Sequence, residues 1–176
     1  MGTRTVLHEA DISRALTRIS HEIIESHRGV DGLVLLGIPT RGVTLARRIG
    51  ALITEISGTT VPVGSLDVTM FRDDLASQPT RSPRPTEIPS GGVDGKTVVL
   101  VDDVLFSGRS IRAALDALQV VGRPAAVRLA ILVDRGHREL PIRPDFIGKN
   151  LPSARDERVH VRLTENDGTE EVTIES

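Results

Sequence analysis

Cysteine, tryptophan and tyrosine are all missing from the 176 residues, and phenylalanine occurs only three times. Without thiols the chain can form no disulfide and carry no thiolate nucleophile, and a zinc site would need histidine and carboxylates alone. So few rings leave little for stacking on unpaired bases, and any RNA contact must be dominated by charge and hydrogen bonds. No apolar run approaches the roughly 18 residues that span a bilayer, and the N-terminus carries no signal-like apolar segment. The expectation is a cytoplasmic protein with no membrane partner. A large charge of one sign is also absent. A net charge of −2 exerts no global pull on nucleic acid, so any such role requires a local patch.

What is present is ordinary for one enzyme domain. A chain of 176 residues can bury about 70% of its unfolded surface around one core. With 39% hydrophobic and 26% charged residues it falls among soluble globular proteins. Neither a repeat nor a linker breaks it, so residues 1–176 read as a single domain.

The most informative string is Val98-Val99-Leu100-Val101-Asp102-Asp103-Val104-Leu105-Phe106-Ser107-Gly108-Arg109-Ser110. Val98 to Val101 are apolar without a break, as in a parallel strand buried on both faces. Such a strand delivers its end to the carboxyl edge of an open sheet, where α/β proteins bind ligands. There Asp102 and Asp103 can accept hydrogen bonds from vicinal hydroxyls or help hold a hydrated cation. Just beyond, the amides from Leu105 to Ser110 and the hydroxyls of Ser107 and Ser110 can surround a phosphate at a helix N-terminus. A diol beside a phosphate describes a ribose 5-phosphate. An acid pair before Ser and Gly is also how a plain turn and N-cap are written. A Walker B strand ends similarly, but no G-x-x-x-x-G-K-[ST] accompanies it.

Around this string, strands and helices alternate. Ile12, Leu16, Ile19 and Ile23 recur at helical spacing, with Asp11 placed to cap. Leu33 to Gly37 is a short buried strand, and Val43, Ala46, Ile49, Leu52, Ile53 and Ile56 mark a second helix. Residues 61–71 read as extended and 72–96, with Pro79, Pro83, Pro85 and Pro89, as a long loop. Ile111, Leu115, Leu118 and Val121 form a third helix closed by Gly122. Ala126 to Val133 is a strand, and Val159 to Leu163 pairs antiparallel with Val172 to Ile174. The pattern predicts an α/β fold with a mostly parallel central sheet flanked by helices.

The thirteen-residue string resembles the phosphoribosyl pyrophosphate (PRPP) signature of type I phosphoribosyltransferases. In that family the acid pair contacts the ribose hydroxyls and the following loop wraps the 5-phosphate. The resemblance implies PRPP as substrate, with Mg²⁺ held in part by Asp102 and Asp103. Gly37-Ile38-Pro39-Thr40-Arg41-Gly42, by itself an ordinary strand-to-helix turn, matches the loop that binds pyrophosphate, with Thr40 and Arg41 as contacts. Pro39 stands where relatives often carry Lys, which removes one positive charge. A loop of about 25 residues is rare in a compact domain unless functional or disordered. In the family the corresponding segment is a flexible hood, here about 72–96, whose Arg72, Asp73, Asp74, Arg81 and Arg84 would close over a polyanion and exclude water. The catalytic group so implied is Asp102, Asp103, Arg41 and Arg72. The segment from Val133 to Pro141 ends the next strand and would face the base, with Val133, Asp134, Arg135 and His137 as uracil contacts. No catalytic role for His137 is required.

Strings outside the signature are similar to the PyrR family of bacterial pyrimidine operon regulators over nearly the full length. They include Ala15-Leu16-Thr17-Arg18-Ile19, His21-Glu22-Ile23, Arg72-Asp73-Asp74 and the run from Asp134 to Asn150. That family joins a uracil phosphoribosyltransferase to a uridine-nucleotide-sensing, mRNA-binding regulator that generally self-associates. It implies uracil + PRPP → UMP + pyrophosphate, with UMP and UTP as effectors and a pyrimidine-gene mRNA leader as partner. At about 100° per residue, Arg14, Thr17, Arg18, His21 and Arg28 fall within roughly 100° of arc, opposite the apolar face. That is also what any solvated helix face looks like. The resemblance gives it to RNA and adds Arg138, Arg143 and Lys149. The competing expectation is a type I enzyme for a purine or orotate, without RNA regulation.

Overall fold

The computed structural model describes residues 2–73 and 82–176. Five parallel strands form the main sheet in the order β3(Val63–Ser65), β2(Leu33–Gly37), β4(Thr97–Leu105), β5(Ala126–Asp134) and β6(Phe146–Asn150). Chain order reverses direction across the sheet between β2 and β4. This is the switch point at which loops diverge and leave a crevice at the carboxyl edge. The register aligns the edge closely: Gly37 lies opposite Val101, and Leu105 opposite Asp134.

The apolar runs in β2, β4 and β5 are continuous because both faces are covered. Leu35, Val99 and Val101 join the cluster beneath α1(Glu9–His27) and α2(Arg41–Ser57). Their alternates Leu36, Val98 and Leu100 pack under α3(Arg109–Val121). The first cluster continues into a small antiparallel sheet, β1(Thr3–Leu7), β8(Glu171–Glu175) and β7(Arg158–Arg162), through Leu7, Val161, Val172 and Ile174. A one-turn helix, α4(Thr164–Asp167), joins β7 to β8. Each fully buried Leu or Ile contributes about 1.5–3 kcal/mol, and this continuity makes both sheets one hydrophobic body.

Several expectations need correcting. Asp11 does cap α1, but from the third helical position and not from the N-cap itself: the backbone amide of the N-cap, His8, donates to Asp11 Oδ2 at 2.8 Å. Extended structure over 61–71 shrinks to β3, followed by a single 3₁₀ turn at Thr69–Phe71. The acid pair lies inside β4, which runs on to Leu105. β1 and β6 escape the period-based reading, β6 because Gly148-Lys149-Asn150 dilutes its apolar content. In the long loop, Glu87 forms a bridge to Ser65, while Asp74 and Arg81 lie outside the described residues. Among the described residues, no helix is long and apolar enough to cross a membrane.

Candidate active site at the carboxyl edge of the sheet

A cavity of about 580 Å³ opens at the switch point, lined by Thr40, Arg41, Asp67, Thr69, Arg72, Arg84, Asp102, Asp103 and Ser110 among others. A second hollow of about 240 Å³ adjoins it, formed by Val104 to Ile111 with Arg72 and Asp73. The strand register places the 37–42 turn, the acid pair and the 105–110 loop side by side.

Asp102 and Asp103 are half-buried and held by their own backbone. The Asp103 amide donates to Asp102 Oδ1 at 2.9 Å, and the Val104 amide to Asp103 Oδ1 at 2.7 Å. Gly42 lets α2 start against this strand. A Cβ there would lie 2.5 Å from the Val101 carbonyl oxygen and 3.3 Å from Asp102 Oδ1. Thr40, the N-cap of α2, is exposed and its hydroxyl has no partner among the described residues.

The loop after β4 is shaped as an anion cradle would be. Gly108 caps α3 with φ of 95°, a left-handed conformation that favours glycine, and a Cβ would meet Ile142 at 3.1 Å. The amides of Ser107, Gly108 and Ser110 have no hydrogen-bond partner among the described residues. Orphan N–H groups at the start of a 13-residue helix are what a phosphate dianion requires. Arg72 reaches this cradle, its Nη1 donating to Ser110 Oγ at 3.3 Å. Asp73 follows it and pairs with Arg109 at 2.6 Å.

Arg41 departs from the simple expectation of a guanidinium laid only against an anion. Its Nε and Nη2 donate to Asp167 Oδ2 and Oδ1 at 3.0 and 2.5 Å. It still lines the cavity, and the Asp167 hydrogen bonds, together with the field of Asp103, raise its pKa further above the ordinary arginine value.

Across the neighbouring edge, the segment after β5 folds back on the cradle. Glu139 and Leu140 amides donate to the Ser107 carbonyl at 2.9 and 3.1 Å. Arg138, expected on an RNA surface, is instead a brace. It holds Asp134 through both Nη atoms and donates to the carbonyls of Phe106 and Ile142. Burial pushes the Asp134 carboxyl up, but Arg138 and the Gly136 amide outweigh it, and its pKa lies below the usual range. Arg135, expected to contact uracil, is 7% exposed. It stacks over Phe106 at 4.2 Å and donates to the Ala154 carbonyl at 2.9 Å. Burial lowers its pKa against the pull of Glu157. His137 has φ of 66° and its Nε2 lies 2.6 Å from the Ser153 carbonyl oxygen. Val133, also expected to contact uracil, is fully buried in β5 between Val104 and Lys149 and leaves no surface for a base.

The other basic residues lie on α1 and β6. Arg14, Arg18 and His21 are exposed on α1 and Thr17 is half-buried beside them. Arg18 also ties two elements together, donating to the Ile147 and Gly148 carbonyls at 2.9 and 2.5 Å. This contact brings β6, with exposed Lys149, alongside the basic face of α1. Arg28 is exposed and is the C-cap of α1, with φ of 58°. Arg143 is exposed in the loop before β6.

Among the described residues, no group of three or more His, Asp or Glu side chains converges as a protein-only metal cage. The carboxylates of Asp102 and Asp103 suit a different arrangement. Mg²⁺ is commonly held by one or two carboxylates with water and substrate phosphates.

An acid pair beside an amide cradle at this switch point defines a phosphoribosyltransferase, and the phosphoribosyl transferase domain family matches residues 3–164. Hypoxanthine phosphoribosyltransferase of Trypanosoma cruzi shares the fold with a TM-score of 0.74 at 16% identity, over 98% of this chain and 91% of that one. Within this class the chain belongs to the PyrR family. It is 70% identical to the bifunctional protein PyrR of Leifsonia xyli, over 99% of this chain and 98% of that one. The corresponding protein of Streptomyces coelicolor is 61% identical over 97% and 89%.

Proposed function

We propose that this phosphoribosyltransferase transfers the phosphoribosyl group of PRPP to uracil, giving UMP and pyrophosphate, and that it binds pyrimidine-gene leader RNA in response to uridine nucleotides. The observation that carries the catalytic half is the juxtaposition of Asp102 and Asp103 with unpartnered amides at the α3 N-terminus. The carboxylates accept the ribose hydroxyls, and Ser107 to Ser110, with Arg72, take the 5-phosphate. Thr40 and Arg41 meet the pyrophosphate. Breaking the C1–oxygen bond builds positive charge on the ribose and negative charge on the leaving group. Positioning and charge stabilisation, not a covalent nucleophile, serve such chemistry. When bound with PRPP, Mg²⁺ supplies charge neutralisation on the leaving group, and Asp102 and Asp103 are the residues that would hold it. Of residues 134–137, the Gly136 carbonyl and the His137 amide and carbonyl keep no partner among the described residues and are the backbone groups left for the base, while the Arg138 brace keeps that segment against the phosphate cradle.

The regulatory half rests on the α1–β6 surface. Arg14, Arg18, His21 and Lys149 form it, with Thr17 and Arg143 at its margins. Arg14–Asp11 and Arg18–Glu22 are exposed pairs, and such pairs hold their cations weakly, leaving them open to phosphates. Cytoplasmic action and self-association belong to the same reading.

Uracil, hypoxanthine and orotate, offered together with PRPP and Mg²⁺, test the enzyme; only uracil is expected to be consumed. Labelled leader RNA titrated with and without UMP tests the regulator, and tighter binding with UMP is expected. Consumption of a purine or orotate would overturn the base assignment, and RNA affinity indifferent to UMP would overturn nucleotide sensing.

A further inference from the structure

Three residues along one face of α2 each find a partner on the short α4 segment. Thr44 Oγ1 donates to Asn166 Oδ1 at 2.7 Å, and Arg48 is shared between Glu165 and Glu170. Arg41, at the cavity end of the row, takes Asp167. The Asp167 carboxylate is itself fixed, because the Leu163 amide donates to its Oδ2 at 2.9 Å. Arg48 with its two glutamates already fastens α4 to α2. A second ion pair is superfluous as an anchor, yet it involves the one cation of the row that lines the cavity.

The geometry of that pair explains its use. Asp167 takes Arg41 side-on, through Nε and Nη2. A guanidinium has five N–H donors in a rigid plane. The end-on fork formed by Nη1 and Nη2 therefore keeps donors for a second anion. Nη1 has no hydrogen-bond partner among the described residues. Asp103 is the competing attraction, since its charge already acts on Arg41. Arg41 collapsed onto Asp103 would neutralise an acid needed for the ribose and withdraw a cation from the leaving group.

We propose that Asp167 is a positioning residue that holds Arg41 away from Asp103 and aims its free fork at the pyrophosphate of PRPP. This role presupposes the pyrophosphate-binding reading of the cavity given above.

The test measures binding of inorganic pyrophosphate with Mg²⁺, and of UMP, to the full-length protein by calorimetry, alongside steady-state kinetics. Asp167→Asn is expected to weaken pyrophosphate and raise the KM for PRPP by about tenfold each, an effect on the scale of one charge-assisted hydrogen bond. UMP, which has no pyrophosphate, is expected to bind as before. Asp167→Glu is expected to recover most of the loss. Glu165→Gln, which loosens the same helix at a residue remote from the cavity, is expected to change neither ligand. Equal pyrophosphate affinity in wild type and Asp167→Asn would overturn the positioning role. So would tighter binding in the variant, or parallel loss of pyrophosphate and UMP, which marks a merely structural residue. Failure of the wild type to bind pyrophosphate at all would instead overturn the cavity reading itself.

Discussion

The carboxyl edge of the sheet and the α1–β6 surface both present groups suited to phosphate, but they are built differently. At the sheet edge, the groups are backbone amides and strand-end carboxylates whose places are dictated by the fold. Ser107, Gly108 and Ser110 amides point where the start of α3 points them. On the α1–β6 surface the groups are long side chains on two elements 129 residues apart in sequence, joined by Arg18 and the Ile147 carbonyl. A pre-organised cradle suits chemistry, where a small misplacement is costly. A face of exposed basic side chains suits a polyanion whose backbone supplies many equivalent contacts. The difference teaches that one chain can place groups suited to phosphate in two ways, through backbone at a helix start and through side chains on a surface.

The comparison breaks most sharply at the acid pair. Asp102→Asn with Asp103→Asn is expected to lower kcat/KM by at least about 1,000-fold, comparable to removing a preorganised electrostatic group, while RNA binding survives. Continuous pyrophosphate release measures the first and a filter-binding titration the second; retained turnover would remove the carboxylates from the site. Next in size is Gly42→Ala. Its Cβ would lie 2.5 Å from the Val101 carbonyl oxygen, and relief by shifting α2 is expected to cost about 2 kcal/mol, lowering Tm by about 4–8 °C in a calorimetric scan.

On the other region the effects are smaller and depend on salt. Arg14→Ala with Lys149→Ala is expected to weaken leader RNA about tenfold at low ionic strength and to flatten the salt slope by about 2. Turnover is expected to stay at the wild-type level, and an unchanged slope would take these residues out of the interface. Arg18→Ala is the less clean variant, because it also frees two β6 carbonyls.

The smallest expected effect concerns acid. Asp134 has a folded-state pKa below its ordinary value of 3.8. A depressed carboxylate stabilises the fold above the unfolded-state pKa, and that contribution disappears as pH falls through the folded value. Below about pH 4, wild type is therefore expected to lose stability with falling pH more steeply than Asp134→Asn. Parallel denaturation curves over that range would show that the Arg138 brace does not stabilise the carboxylate.

Legibility in the sequence followed contiguity. Val98 to Ser110 could be read as strand, acid pair, glycine turn and helix start because all the parts lie in one stretch. Ser65 and Glu87 pair across a loop that proline content alone described. β6 hid because its Lys149 and Asn150 are solvent-facing on an edge strand. The partners of Arg135 and Arg138 are not legible in the sequence for a common reason. An arginine looks the same in sequence whether it faces water or is spent on Asp134, Phe106 and Ala154. Asp167 gave only the signal of a Thr-Glu-Asn-Asp-Gly turn, with nothing to connect it to Arg41.

The amino-acid order by itself decided the alternation of strands and helices, the two-sided burial of the central strands and the location of the glycine-containing loop after β4. These depend on apolar periodicity and on backbone groups next to one another in the chain. Tertiary structure alone decided which cations face solvent, which brace the loops, and which carboxylate orients Arg41. Side-chain partnerships across more than 100 residues, such as Arg41 with Asp167 at a separation of 126, exist only once packing has brought their elements together.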